Sequence, residues 1–542
     1  MKEISGHIVD VINKKIFNGI LRIENNKIVE ILPVENVIDQ FIMPGFIDAH
    51  IHIESSMMLP SEFARYSFIH GTIACVCDPH EIANVCGVEG INYMIDNAKN
   101  SPMKFYFGAP SCVPSTVFET SGAIINDKTV TELLARNDIY FLAEMMNYPG
   151  VINKNVQVHS KLNAAKNANK PIDGHAPGLV GNDLIAYANA GISTDHECMT
   201  LDEAELKIAL GLKVIIREGS AAKNFDDLLP LITKHSDNIM FCSDDKHPDD
   251  LLGNGHINSL VIRAIEKGYN LMDVLKACTL NPVKHYNLNV GLLQQGDTAD
   301  FIIVDNLKEF NILAAFIDGN EVVKNSLVTF PRYLPFETIN NFNVLKISEN
   351  DLEVEPTGEY LKVISVENGQ LQTKLVLTQP KIEDNNIVSD VENDVLKLVV
   401  YNRYRPSTPS IGFIKNIGLK QGALASTVSH DSHNIVAVGV SDNEISIAIN
   451  KIIDSKGGIL ASRGDETWML QLGVGGLMSD DEGIKIATKY KEVDRMAKIF
   501  GSTLDAPFMT LAFMSLLVIP ELKLGDIGLF DGNAFCFTDL ME

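Results

Sequence analysis

Between residues 43 and 285 the chain repeats one pattern eight times: a short apolar run ending in a polar or small residue, then a stretch of helical character. The runs are GFIDAH, TIACVCD, KFYFGAP, IYFLAE, KPIDGH, GISTDH, KVIIRE and IMFCSD. They reach polar or small residues at Asp48, Asp78, Pro110, Glu144, His175, His196, Arg217 and Asp244, which lie 21 to 34 residues apart. That spacing leaves room for one helix and two loops. VEGINYMIDNAKN, VQVHSKLNAAKNAN, LIAYANA, LDEAELKIALGL and FDDLLPLITKHS are the helical candidates. Strands alternating with helices imply right-handed crossovers and a parallel sheet. Eight such units predict an α/β fold of the (β/α)8, TIM-like barrel type, with its site at the C-terminal strand ends. An open doubly wound sheet would use the same units but would not bring eight strand ends together.

Two further regions flank this one. IVDVIN, GILRIENN and KIVEILP alternate apolar and polar residues around the turn Asn25-Asn26, and DTADFIIVDN and NILAAFIDGNEVVKN have the same character. The two sets are expected to fold together as one split β-sandwich, 1–42 plus 286–338, around the barrel of 43–285. Residues 256–285 read as a closing helical layer. Residues 339–542 read as an additional C-terminal α+β domain, set off by a linker near 331–341 and the acidic stretch 350–395.

Lys+Arg 45 against Asp+Glu 70 gives a net charge of −25, which argues against a nucleic-acid or acidic-membrane partner. The eight cysteines form no paired C-x-x-C motifs and several sit in apolar runs, as free core thiols do. MKEISGHIVD lacks the apolar core of a signal peptide, and the apolar run 508–519 is too short for a bilayer. A reducing cytoplasm and no membrane are expected.

The chemistry gathers at strand ends. In the stretch 41–54, FIMPGFIDAHIHIE, alternate residues of a strand share a face, so His50 and His52 point into one space. Alone, the pair also fits two solvated imidazoles. Later strands add Glu144, His175, His196 and Asp244. Four imidazoles and two carboxylates suit two first-row divalent ions such as Mn, Fe or Zn, with Glu144 as the candidate bridge. Such ions turn water into a nucleophile near neutral pH. A proton shuttle is then needed, and Glu218, Asp245, His247, Glu197, His80 and Glu81 all qualify by type.

These motifs resemble those of the amidohydrolase superfamily: MPGFIDAHIH, the split β-sandwich and the aspartate of strand eight. More narrowly, DAHIHIESSMM, DPHEIANV, PSCVP, GHAPGL, DHEC, REGSAA, SDDKHP and SHDSHNI are similar to the bacterial adenine deaminase family over nearly the whole length. The resemblance implies hydrolysis of adenine to hypoxanthine and ammonia in purine salvage, binuclear Mn(II) or Fe(II) with zinc as an alternative, and a homo-oligomer, dimer or tetramer. It aligns Asp244 with a metal ligand that also takes up the proton of water, with Asp245 as the runner-up. Arg217, Ser220, Glu81 and His247 are expected at the purine, and His80 and Glu218 beside the proton path. Arg217, Glu218 and Ser220 also fit a capping turn, and Glu81 also fits a helix start after Pro79. His430-Asp431-Ser432-His433 is either a polar turn or a contribution of the C-terminal region to the site. Trp468 and Tyr490 are expected in that region's core. Another amidohydrolase, acting on a related purine or a cyclic amide, is the alternative. Cyclic amidases usually bridge their metals with a carboxylated lysine on strand four, and IYFLAEMMN holds none. A non-enzymatic barrel would have lost ligand-type residues that this chain keeps.

Overall fold

The computed structural model describes residues 1–333 and 337–542; part of the expected linker, 334–336, lies outside the described residues. The eight apolar runs form eight parallel strands: Phe46–Ile51, Thr72–Cys77, Lys104–Ala109, Ile139–Met145, Ile172–Gly174, Thr194–Asp195, Lys213–Arg217 and Ile239–Cys242. The first five pair in chain order in one sheet and the last three in another. The sheets meet at two seams. At one, Ile51 bridges Asp244 and the Asp244 N–H donates to the His50 carbonyl at 3.0 Å. At the other, the Ser193 N–H donates to the Ile172 carbonyl at 2.9 Å. The strands are almost wholly buried and, apart from the short Ile172–Gly174 and Thr194–Asp195, mostly apolar, as parallel strands covered on both faces tend to be. Register shifts fall between Asp48 and Ile51 and between Leu142 and Met145, where bulges re-aim side chains such as His50 and Glu144.

The helices begin where polar caps allow. Asn126 accepts from Thr129 N, Asn155 from Gln157 and Val158 N, and Thr200 from Glu203 N, each satisfying amides that the first turn leaves free. Two helices differ from expectation. The one placed at VEGINYMIDNAKN starts earlier, at His80, and runs to Ala98 through a kink at Gly87, whose φ of 60° only glycine takes easily. FDDLLPLITKHS breaks into Phe225–Leu228 and Leu231–His235 around Pro230, which cannot donate to a continuing helix. Helices Ile257–Glu266, Leu271–Ala277 and Leu280–Tyr286 form the expected layer after the eighth strand.

One eight-stranded sheet joins residues 2–44 to residues 301–328. Its centre is Phe41–Pro44, parallel to Lys2–Asp10 and antiparallel to Phe301–Val304. A second eight-stranded sheet runs through residues 361–471. Helix Asp442–Ser455 packs on its middle strands, and helix Gly483–Ile499 on strands Gly458–Arg463 and Glu466–Gln471. Helix Gly483–Ile499 also meets helix Pro248–Asn254, tying the C-terminal region to the parallel strands. Residues 508–517 of the apolar run are buried, with a helix at Pro507–Ala512. Among the described residues no helix is long and apolar enough to cross a membrane, and the eight cysteines are free.

Candidate metal centre

His50 and His52 leave the first strand on one face, their Nε2 atoms 3.2 Å apart. His52 Nε2 lies 3.3 Å from Glu144 Oε1 and 3.3 Å from Asp244 Oδ1. Glu144 turns its other oxygen to His175 Nδ1 at 2.7 Å and His196 Nε2 at 3.3 Å. The His50 and His196 rings stack at 4.2 Å. All six predicted ligands therefore converge, with Glu144 between two pairs of imidazoles.

The donor chemistry fits divalent cations. Ligand atoms of His50, His196 and Asp244 lie within 4.8 Å of one another, and so do those of Glu144, His175 and His196. Two imidazole nitrogens face each other across 3.2 Å, and His50 Nδ1 and His196 Nδ1 are buried with no hydrogen-bond partner. A cation would relieve the repulsion between the two facing Nε2 lone pairs, while the Nδ1 atoms lie on the far side of their rings. Burial and the neighbouring His196 and His52 hold the His50 imidazole well below its usual range, so it stays a neutral ligand. Burial works against charge on Glu144 and Asp244. The imidazoles around Glu144, and His52 and Arg217 beside Asp244, nonetheless hold both carboxyls well below the usual range.

Buried ion pairs and hydrogen bonds fix these side chains. Asp48 accepts from Ser243 N at 3.1 Å, from Ser243 Oγ at 2.5 Å and from His256 Nε2 at 2.8 Å, which ties the first strand to the end of the eighth. Asp195 accepts from Ala176 N at 2.9 Å and Glu197 N at 2.8 Å, and Lys207 stands 3.2 Å away. Asp244 has a φ of 53°, in the left-handed region that Asp tolerates better than most residues. Its N–H to the His50 carbonyl at 3.0 Å holds that conformation.

The remaining predicted residues divide. His80 joins the cluster, with Nδ1 3.2 Å from Asp78 and 3.5 Å from Glu144. Asp245 lines the cavity and accepts from Ser55 Oγ at 2.5 Å; burial and Asp244 push its carboxyl up. Arg217 donates to Asp244 Oδ2 at 2.8 Å and engages both oxygens of Glu197, so its guanidinium is braced between two carboxylates. Both Glu81 oxygens are taken, by His430 and His433. Three residues do not line the cavity. Glu218 pairs with Arg263 at 2.7 Å, Ser220 donates to Asp250, and His247 packs edge-on against Tyr490 at 4.9 Å. Each has found a partner on an outer helix, which sequence order does not reveal.

The cavity has a volume of about 40 Å³, room for a few waters. It adjoins a cleft of about 550 Å³, with which it shares Met146, His175, Glu197, Arg217, Leu371 and Ile519. Sequence reasoning missed the apolar part of the wall, Leu371, Phe513, Leu516 and Ile519 of the C-terminal region; His430 and Asp431, of the turn that sequence left open between a polar turn and a contribution to the site, line the cavity with them. Apolar residues in a distant region carry no signal of this kind in the sequence.

Parallel strands presenting histidines and carboxylates at their C-terminal ends are the arrangement of a metal-dependent amidohydrolase, and residues 41–322 match the model of the amidohydrolase family. Residues 370–536 match the model of the adenine deaminase C-terminal domain. Over 552 residues the chain is 51% identical to an adenine deaminase of Methanosarcina mazei, covering 100% of this chain and 99% of that one. It is 47% identical over 547 residues to an adenine deaminase of Borreliella burgdorferi, covering 99% of each. The chain belongs to the adenine deaminase family of amidohydrolases.

Proposed function

We propose that this protein hydrolyses adenine to hypoxanthine and ammonia, in purine salvage, using a binuclear centre of Mn(II) or Fe(II), with zinc as the alternative. The observation that carries the reading is full-length identity near one half to adenine deaminases, in a chain whose six predicted ligands meet at one point. His50, His52, Glu144, His175, His196 and Asp244 would hold the metals. When bound, such a pair supplies the Lewis acidity that makes water a nucleophile at neutral pH and stabilises developing negative charge.

The chain's own residues do the rest. Asp244 accepts a proton of the attacking water, and Asp245 is the alternative acceptor beside it. Arg217 keeps Asp244 ionised and aimed through its 2.8 Å contact. His80 stands between Asp78 and Glu144 as the group able to pass a proton along. In the balance, the oxygen of water bonds to C6, the exocyclic C–N bond breaks, and the nitrogen leaves as ammonia with the protons of water shared between it and the ring. The base enters from the larger cleft, and the apolar side chains of Leu371, Phe513 and Ile519 exclude water around it.

The same reading joins the two parallel sheets into one (β/α)8 barrel across 43–285, flanked by a β-sandwich of 1–42 plus 286–338 and a C-terminal domain of 339–542. A homo-oligomer, dimer or tetramer, in the cytoplasm completes it. The deciding experiment is ammonia release against a panel of purines and pyrimidines, with metal content measured on the same sample. Adenine as the preferred substrate supports the reading; no ammonia from adenine by metal-loaded protein overturns it.

A further inference from the structure

The C-terminal region brings polar groups as well as apolar ones to the cavity. His430 and Asp431 line it beside His52, His80, Glu144 and Asp244. The turn that carries them is wholly buried, with His430 3% and His433 1% exposed. Glu81, in the first turn of the helix that follows the second parallel strand, meets both histidines. His430 Nδ1 lies 2.6 Å from Oε1, and His433 Nε2 contacts Oε2.

One neighbour fixes which atoms carry protons. The Ser429 N–H donates to His433 Nδ1 at 3.2 Å, so that nitrogen holds the lone pair and His433 Nε2 carries the hydrogen. His433 therefore donates to Glu81. These three side chains are close enough to hold a cation. A cation would need the lone pair at His433 Nε2, and a proton on Nδ1 would then face the Ser429 N–H. Two imidazole donors on one carboxylate satisfy every group, so His430 gives Nδ1–H to Glu81 and Nε2 is its remaining nitrogen. That atom is hydrogen-bonded to no described residue. The ring stacks on Phe513 at 4.4 Å and 16°, which fixes its plane along the cavity wall. Burial opposes charge on His430, but Glu81 and Asp245 outweigh it and raise the imidazole to about 9. Burial instead lowers His433 to about 4, in keeping with a neutral ring.

We propose that the C-terminal region supplies a substrate-contacting residue: His430, oriented through Nδ1 by Glu81, presents its Nε2 to the polar edge of the purine. A carboxylate that orients an imidazole through one nitrogen so that the other can act is a recurring device of hydrolases. Glu81 and His433 are positioning residues. The inference rests on the adenine reading above.

The test compares the metal-loaded wild type with His430→Asn and His430→Gln. Asn keeps a donor near the Nδ1 position and removes Nε2. Gln places its nitrogen near Nε2 and gives up the contact with Glu81. Calorimetry with hypoxanthine as the probe reads binding, and adenine turnover and metal content are measured on the same samples. The expected result is binding about tenfold or more weaker in the Asn variant, an intermediate loss in the Gln variant, and unchanged metal content. Wild-type binding by the Asn variant, equal losses in both variants, or loss of metal in the Asn variant would each overturn the inference. If the Asn variant does not fold, His430→Phe keeps a ring on Phe513 without nitrogens; wild-type binding there overturns the inference equally. A wild type that releases no ammonia from adenine would instead sink the adenine reading, which separates the two failures.

Discussion

Asp244 carries three constraints at once: a left-handed backbone, a contact to His52 and a contact to Arg217. Asn tolerates the same backbone, so Asp244→Asn removes the charge without adding strain. Ammonia release is expected to fall by about 10² to 10⁴-fold, the usual worth of a positioned proton acceptor. Circular dichroism should match the wild type, and turnover near wild type would end the assignment. Asp48 touches no cation in this scheme, yet it holds the backbone of His50 and of Ser243. Asp48→Asn should weaken metal binding by about 10 to 100-fold, as loss of an outer partner typically does, read by chelator competition. Ligand-type residues at strand ends were legible because a parallel sheet forces them to one end. Ser220, Glu218 and His247 were placed by the same logic and went elsewhere, since Asp250, Arg263 and Tyr490 compete for them.

At the scale of elements, the strands were readable because buried parallel strands leave uninterrupted apolar runs. Helix extents were less so: a start after Pro79 was one of two readings of Glu81, and Gly87 interrupts the periodicity that would join that start to the helix at VEGINYMIDNAKN. One helix carries a measurable burden. Lys207, on Leu201–Ala209, is fully buried, with Asp195 at 3.2 Å, Glu203 at 2.7 Å and the Ala176 carbonyl at 2.7 Å. Lys207→Met leaves two buried carboxylates short of their cation. The expected loss is about 3–5 kcal/mol of stability, measurable by urea denaturation. A loss below about 1 kcal/mol would mean that water reaches these groups, as it does at surface pairs.

Across the whole molecule, the C-terminal region meets the parallel strands through buried polar contacts as well as apolar ones. Lys523 illustrates this. It is fully buried and donates to the Leu371 carbonyl at 2.8 Å and the Phe513 carbonyl at 3.0 Å, pinning the two segments that roof the cavity. Burial lowers its ammonium to about 7. The unfolded chain, with an ordinary lysine, then binds more protons than the folded one between that value and about 10. Stability from this group rises with pH across that window. The wild type should gain melting temperature between pH 7 and pH 9.5 relative to Lys523→Met; a constant difference would contradict the lowered value. None of this was legible in the sequence, because a lysine between two leucines reads as a surface strand.

The wall formed by Leu371, His430, Phe513 and Ile519 has a temporal consequence. Chains are made from the N-terminus at about 5–20 residues per second, and early domains fold first. The strands that carry His50 to Asp244 leave the ribosome well before residue 519 exists. A nascent chain of this protein thus has its ligand-type side chains long before it has a chamber to enclose a base, which is complete only once residue 519 has left the ribosome.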